Sequence, residues 1–79
     1  MNSARTFFFA ILRDFIGLRQ VEIQIPEQTN VAGFKSILAE KYPVLSRLMN
    51  LTLVAVNHDY AMDEVLIPIN AEVALFLPV

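Results

Sequence analysis

The sequence predicts an α+β fold in which a mixed sheet of four to five strands packs on one main helix. Two observations support this prediction. Several short segments are continuously apolar or alternate between apolar and polar residues, whereas one longer segment spaces its apolar residues at helical intervals. The two glycines and four prolines fall between these segments. At 79 residues, the chain is expected to form a single domain over residues 1–79.

Two strands are expected before the helix. Thr6–Ala10 is an aromatic, apolar run typical of a buried strand, and Ile11–Ile16 continues it as a short helical turn that ends at Gly17. Leu18–Ile25 alternates apolar and polar residues, which indicates a half-buried strand, and Pro26 ends it.

The main helix is predicted over roughly 31–42. Its apolar stripe consists of Val31, Phe34, Ile37 and Leu38. Either Thr29 or Asn30 can cap its first turn, and Pro43 disfavours a helical conformation at Tyr42. A second short helical turn is expected next, with the apolar residues Val44, Leu45, Leu48 and Met49.

The second half of the chain is expected to supply the remaining strands. Leu51–Val56 is suited to a central strand, and the polar residues 57–59 have turn chemistry. Val65–Ile67 is predicted as a short edge element, and Glu72–Val79 as the last strand. In that strand, Val73, Leu75 and Leu77 lie opposite Ala74 and Phe76. The resulting order of strand, strand, helix, strand, short strand and strand is the ubiquitin-like β-grasp arrangement.

The composition indicates a protein-docking surface. Hydrophobic residues make up 56% of the chain and charged residues only 18%, and the mean hydropathy is +0.52. This is more apolar material than one small core can hide, since such a domain buries only about 60% of its unfolded surface. Phe7, Phe8 and Phe9 alternate between the two faces of their strand, so the face opposite the core needs a cover, and Phe76 raises the same question.

The charges argue against nucleic-acid binding. Residues 1–47 carry a net charge of +2 and residues 48–79 a net charge of −4, without a basic stripe. The acidic half would suit a partner with a basic groove. The longest segment free of charged side chains, Leu48–His58, is too short to cross a bilayer, so a cytoplasmic protein without a membrane partner is expected.

Catalytic and metal sites are not expected within the chain. His58 is the sole histidine, and adjacent residues of an extended segment point to opposite faces, so His58 and Asp59 do not suit a serine–histidine–aspartate site. His58, Asp59, Asp63 and Glu64 could ligate a divalent ion, but they lack the spacing of a calcium loop and more simply form a polar turn. No cofactor is expected.

Three segments resemble the small subunit of molybdopterin synthase, a ubiquitin-like sulfur-carrier family. Phe8–Gly17 matches its opening of two aromatic residues and alanine, then arginine and an acid, then glycine. Val54–Asn57 followed by Tyr60 matches its third strand and asparagine turn, and Glu72–Val79 matches its last strand. Together these segments cover the chain from about Arg5 to its end. The thiamine sulfur carriers share the fold but usually lack this opening.

The resemblance implies a carrier that is not catalytic alone. In this family an adenylating enzyme of the ubiquitin-activating type activates a C-terminal glycine, which becomes a thiocarboxylate. The carrier then delivers sulfur to a cyclic pterin held by the large subunit, within a heterotetramer of two small and two large subunits. Carried over by position, Phe9 and Phe76 would lie on the docking face, and Arg13 would contact the partner. Leu77, Pro78 and Val79 would lead into the partner's channel.

The sequence departs from the family pattern at two main places. The pattern continues past Pro-Val with a small residue and Gly-Gly, whereas the sequence given ends at Val79. The intact body motifs favour a truncated tail over a carrier-like adaptor that docks without donating sulfur. Asn70-Ala71 replaces the usual Gly-Asp, and Asn70 is expected to tolerate the positive φ that glycine would supply. A thiamine-type or ubiquitin-related sulfur carrier and a tail-less β-grasp adaptor remain the alternatives.

Overall fold

The computed structural model describes residues 1–78. Within them the elements follow in the order β1 (Asn2–Phe8), α1 (Ala10–Ile16), β2 (Gln20–Ile25), α2 (Val31–Lys41), two 3-10 turns (Pro43–Leu45 and Met49–Leu51), β3 (Leu53–Val56), β4 (Asp59–Tyr60) and β5 (Glu72–Phe76). The strands form one five-stranded sheet in the order β2-β1-β5-β3-β4. No helix in the described part of the chain is long and apolar enough to span a membrane.

The sheet is mixed, and its central pair is parallel. β1 runs antiparallel to β2 and parallel to β5, while β3 runs antiparallel to both β5 and β4. Because parallel strands need a crossover connection, the chain passes through α2 on its way from one side of the pair to the other. The α+β fold of the β-grasp type that the sequence predicts is therefore confirmed.

The core lies on one face of this sheet. The residues of β1 alternate strictly, so that Ala4, Thr6 and Phe8 are buried while Arg5 is exposed. The buried side chains of α2 (Val31, Phe34 and Leu38) belong to the same apolar cluster as those of the sheet. Fully burying a side chain such as Phe8 or Phe34 contributes about 1.5–3 kcal/mol, so this face of the sheet is important for folding stability.

The end of α1 and the start of α2 are found within one residue of their predicted positions. Gly17 ends α1 with φ 81, and its N–H donates to the Arg13 carbonyl oxygen at 2.7 Å. Asn30, not Thr29, caps α2: its side-chain oxygen accepts a hydrogen bond from the Gly33 N–H at 2.8 Å. The Thr29 hydroxyl instead donates to the Pro26 carbonyl oxygen at 2.6 Å, which leaves the capping position to Asn30.

The first strand differs from the prediction at both ends. It covers Asn2–Phe8, whereas the apolar run predicted Thr6–Ala10. Its polar first residues join the sheet because their backbones pair with β2, as Asn2 does with Ile25. The Asn2 side chain is itself buried and donates to the Pro68 carbonyl oxygen at 2.9 Å. Hydrogen bonding therefore fixes this end of the strand, although the hydrophobic pattern does not reveal it.

The predicted edge element at Val65–Ile67 is present only as an isolated bridge and not as a strand of the sheet. The short strand is Asp59–Tyr60 instead, and Leu66 makes only an isolated bridge with Asn30. Asn57 and His58 both have positive φ, at 50 and 75, so a two-residue turn folds the chain back onto β3 at once. The last strand also ends earlier than predicted, at Phe76.

Candidate protein-docking site

The sheet face opposite the core carries an apolar depression, which we call the aromatic hollow. Its lining consists of Phe7, Phe9, Ala55, His58, Tyr60, Glu72, Ala74 and Phe76. An outward sheet face in a small domain is usually polar, because it meets water. Four aromatic side chains on such a face are therefore a feature that the fold itself does not require.

The register of the strands builds the hollow. Phe7 on β1 pairs with Ala74 on β5, Ala74 pairs with Ala55 on β3, and Ala55 pairs with Tyr60 on β4. Two small alanines thus form the floor, with an aromatic ring at each end of the row. The depression forms because the side chains of its floor are small and those of its walls are large.

Two rings close the side of the hollow at the end of β5. The Tyr60 and Phe76 ring centroids lie 5.7 Å apart with the planes inclined at 63°, an edge-to-face arrangement. Phe76 is half-buried by this contact, whereas Tyr60 remains 76% exposed. Tyr60 is therefore the more available of the two for a partner.

Phe9 continues the wall at the same end of the hollow, on the β1 side of the last strand. Its side chain is 48% exposed, and its backbone N–H donates to the Leu75 carbonyl oxygen at 3.2 Å. This bond extends the β1–β5 ladder by one residue, although the extended backbone of Phe9 already serves as the start of α1. The bond fixes the aromatic side chain beside the end of the last strand.

A polar rim borders the hollow on the side of Glu72. Its carboxylate lies 3.2 Å from Arg5 Nη2 through one oxygen and 3.4 Å from His58 Nε2 through the other. Both partners are largely exposed, and such pairs contribute at most about 1 kcal/mol. The rim contributes little to stability. Its contacts orient the side chains of Arg5 and His58, and it separates the apolar hollow from the charged part of the sheet.

The aromatic hollow is suited to binding another molecule. Within residues 1–78, no group of three or more histidine, cysteine or acidic side chains is placed to hold a metal ion. His58 instead faces Glu72, and Asp63 lies 3.5 Å from the Lys35 ammonium. An exposed, aromatic and concave surface without a reactive cluster is suited to contact with another polypeptide.

The structure gathers only part of the set of site residues predicted from the sequence. Phe9 and Phe76 both line the hollow. Arg13 is exposed on α1 and is not among the lining residues. Leu77 is half-buried and packs against the core, Pro78 is exposed, and Val79 lies outside the described residues.

Sequence reasoning missed Phe7, Tyr60 and the two floor alanines as parts of one site. The alternation of side chains along a strand could have identified Phe7 and Ala74, because each lies two residues from a predicted site residue and so on the same face. Tyr60 could not be placed in this way, because its strand was not predicted.

The expectation for Asn70 is confirmed: it has φ 56, and its N–H donates to the Asn2 side-chain oxygen at 3.0 Å.

The fold defines the class: this is a ubiquitin-like β-grasp domain, and its outer sheet face carries an exposed apolar hollow. The family model described as the ThiS family matches residues 7–79, and the chain belongs to that family. A molybdopterin synthase sulfur carrier subunit from Caenorhabditis briggsae is 31% identical over 61 residues, which cover 77% of this chain and 73% of the relative. The family resemblance found in the sequence is thereby confirmed.

Solved structures agree on the fold. A putative molybdopterin converting factor, subunit 1, from Pyrococcus furiosus superposes with a TM-score of 0.90 at 20% identity, covering 100% of both chains. SAMP1 from Haloferax volcanii superposes with a TM-score of 0.87 at 26% identity, covering 99% of this chain and 97% of that one.

Proposed function

We propose that this protein is the sulfur-carrier small subunit of a molybdopterin synthase, acting in the cytoplasm. The observation that carries the proposal is the aromatic hollow on the outer sheet face, next to the strand that leads to the C-terminus. The similarity to a molybdopterin synthase sulfur carrier subunit supports the choice of pathway. The body of the domain would be a handle that binds the large subunit.

The position of the hollow relative to the chain end supports this role. Phe76 lines the hollow, and Pro78 is exposed only two residues later. Two extended residues reach about 7 Å. A partner that covers Phe76 would therefore lie directly beside the chain as it leaves β5, where it could receive a narrow tail into a channel.

The proposed chemistry takes place on a C-terminal glycine of the kind that the family pattern has after Pro-Val. An adenylating enzyme would convert its carboxylate to an acyl adenylate, and a sulfur donor would displace AMP to leave a thiocarboxylate. The large subunit would hold the cyclic pterin precursor that accepts the sulfur, in a heterotetramer of two small and two large subunits. Arg13, exposed on α1, is proposed to contact the partner.

Charge placed in the hollow tests the docking role. Phe76→Asp is expected to abolish co-purification with the large subunit, because it buries an unpaired carboxylate against the partner. Phe76→Ala is expected to cost about 2 kcal/mol or more of binding free energy. Ile69→Asp is the matched control, since Ile69 is 78% exposed and does not line the hollow. Undiminished binding by Phe76→Asp would show that the docking face is elsewhere.

Sulfur transfer is tested on a chain extended after Val79 by a small residue and Gly-Gly. Incubation with the adenylating enzyme, ATP and a sulfur donor is expected to raise the intact mass by one exchange of sulfur for oxygen. The same chain ending in Gly-Ala provides the control for tail recognition. If the Gly-Gly chain gains no such mass while it still binds the large subunit, the tail-less adaptor would replace the carrier.

A second candidate is a ubiquitin-related or thiamine-type sulfur carrier. This candidate is supported by the similarity to SAMP1, a small archaeal modifier protein, with 26% identity and a TM-score of 0.87. The two candidates differ in the partner that accepts sulfur from the thiocarboxylate. Binding to a molybdopterin synthase large subunit, but not to a thiazole-forming enzyme, is expected under the leading proposal.

A further inference from the structure

A second apolar depression lies next to the hollow, at the β3–β4 edge of the sheet, and we call it the edge groove. Its lining includes Lys35 and the exposed side chains of Leu51, Leu53, Tyr60, Met62, Asp63 and Glu64. Leu51 is 62% exposed and Met62 is 72% exposed, although both side chains are large and apolar. Neither residue belongs to the aromatic hollow, so the need to cover the hollow does not account for them.

The edge groove is continuous with the hollow. Tyr60 lines both depressions. Leu53, in the groove, is the strand partner of Phe76, in the hollow. A polypeptide that covers the Tyr60 and Phe76 rings therefore reaches the groove without leaving the surface of the domain.

The charge of the edge groove is negative. Lys35 lies 3.5 Å from Asp63, and its side chain is only 19% exposed, so its charge is held against that carboxylate. Among the described residues, no basic side chain lies within ion-pair distance of Glu64. Residues 48–79 contain neither lysine nor arginine. Glu64 therefore offers a carboxylate beside exposed apolar side chains.

We propose that the edge groove is a second part of the docking surface and binds a segment in which an apolar side chain lies next to a lysine or arginine. This segment belongs to the large subunit that covers the hollow, so the inference rests on the proposed function. Leu51 and Met62 would contact the apolar side chain, and Glu64 would pair with the cation. The paired charges select among partners that all present an apolar face to the hollow.

Two substitutions with matched controls test this assignment. Met62→Ser removes apolar contact, and Leu66→Ser is its control, because Leu66 is 58% exposed and does not line the groove. Glu64→Lys reverses the charge, and Glu40→Lys makes the same change in net charge on the exposed side of α2. Affinity for the purified large subunit of molybdopterin synthase is measured by calorimetry at low and high salt, and thermal unfolding shows that each variant is folded.

Met62→Ser is expected to weaken binding about tenfold, and Glu64→Lys about fivefold at low salt with a smaller effect at high salt. The two control variants should bind as the parent does. If both test variants bind the large subunit normally while Phe76→Asp does not, the edge groove is not an interface and the proposed function stands. Affinity for the adenylating enzyme is measured in the same way, and a loss of binding to that enzyme alone would overturn the assignment to the large subunit. Normal binding by all variants, Phe76→Asp included, would overturn both proposals.

Discussion

Asn57 and Glu72 are joined by two hydrogen bonds where β3 and β5 meet the turn. The Asn57 N–H donates to the Glu72 carbonyl oxygen at 2.8 Å, and the Glu72 N–H donates to the Asn57 side-chain oxygen at 2.9 Å. Asn57 also has φ 50, in the region where asparagine is tolerated better than most residues. Asn57 thus forms part of the turn that reverses the chain and also holds the start of β5, where Glu72 lies at the rim of the hollow.

Two substitutions at position 57 should separate these contributions. Asn57→Gly keeps the backbone conformation but removes the side-chain acceptor, so a loss of about 1 kcal/mol in the free energy of unfolding is expected. Asn57→Ala loses the same acceptor but, unlike glycine, keeps a Cβ in the left-handed region without the polar side chain that makes this conformation tolerable for asparagine, which adds about 1 kcal/mol. Urea unfolding measures both values. Equal losses for the two variants would contradict the conformational contribution.

The neighbouring residues Phe8 and Phe9 should behave in opposite ways. Phe8 is 2% exposed and its ring packs edge-on at 6.0 Å from Tyr42, so Phe8→Ala is expected to cost about 3–5 kcal/mol of folding stability. Phe8→Leu is the milder variant, with a smaller expected loss of stability.

Phe9→Ala, by contrast, should change stability by less than about 1 kcal/mol, since the ring is half in solvent. The same variant should weaken large-subunit binding about tenfold, because Phe9 lines the hollow. Thermal unfolding and large-subunit binding, measured on the same samples, test these two expectations. A strongly destabilised Phe9→Ala would mean that its ring serves the core.

Gly17 should be sensitive to backbone strain alone. A Cβ built at this position meets no atom within 4 Å, but φ is 81. Gly17→Ala is therefore expected to lower stability by about 1 kcal/mol without a steric clash, and Gly17→Asn by less. Thermal denaturation of the two variants measures the difference, and an asparagine variant less stable than the alanine variant would refute this account.

Capping of α2 should depend on Asn30. Asn30→Ala removes the acceptor for the Gly33 N–H and is expected to cost about 1 kcal/mol. Asn30→Asp retains a capping oxygen and should cost little. Chemical unfolding tests both, and a harmless Asn30→Ala would assign the cap to another group.

The sequence by itself determined the α+β class, the position of α2, the end of α1 at Gly17 and the positive φ of Asn70. Each of these follows from interactions within a few residues: helical periodicity, a left-handed cap and a turn. The family resemblance also placed Phe9 and Phe76 together on the outer face, and both line the hollow in the structure.

Only the tertiary structure decided which residues share the aromatic hollow. The Phe7–Ala74–Ala55–Tyr60 row joins four strands whose register is not encoded locally. The polar start of β1 and the short β4 were likewise hidden, because pairing across the sheet places them in strands and their own hydrophobic pattern does not. Local forces set the elements, whereas long-range pairing placed two alanines between aromatic rings and so made the surface concave.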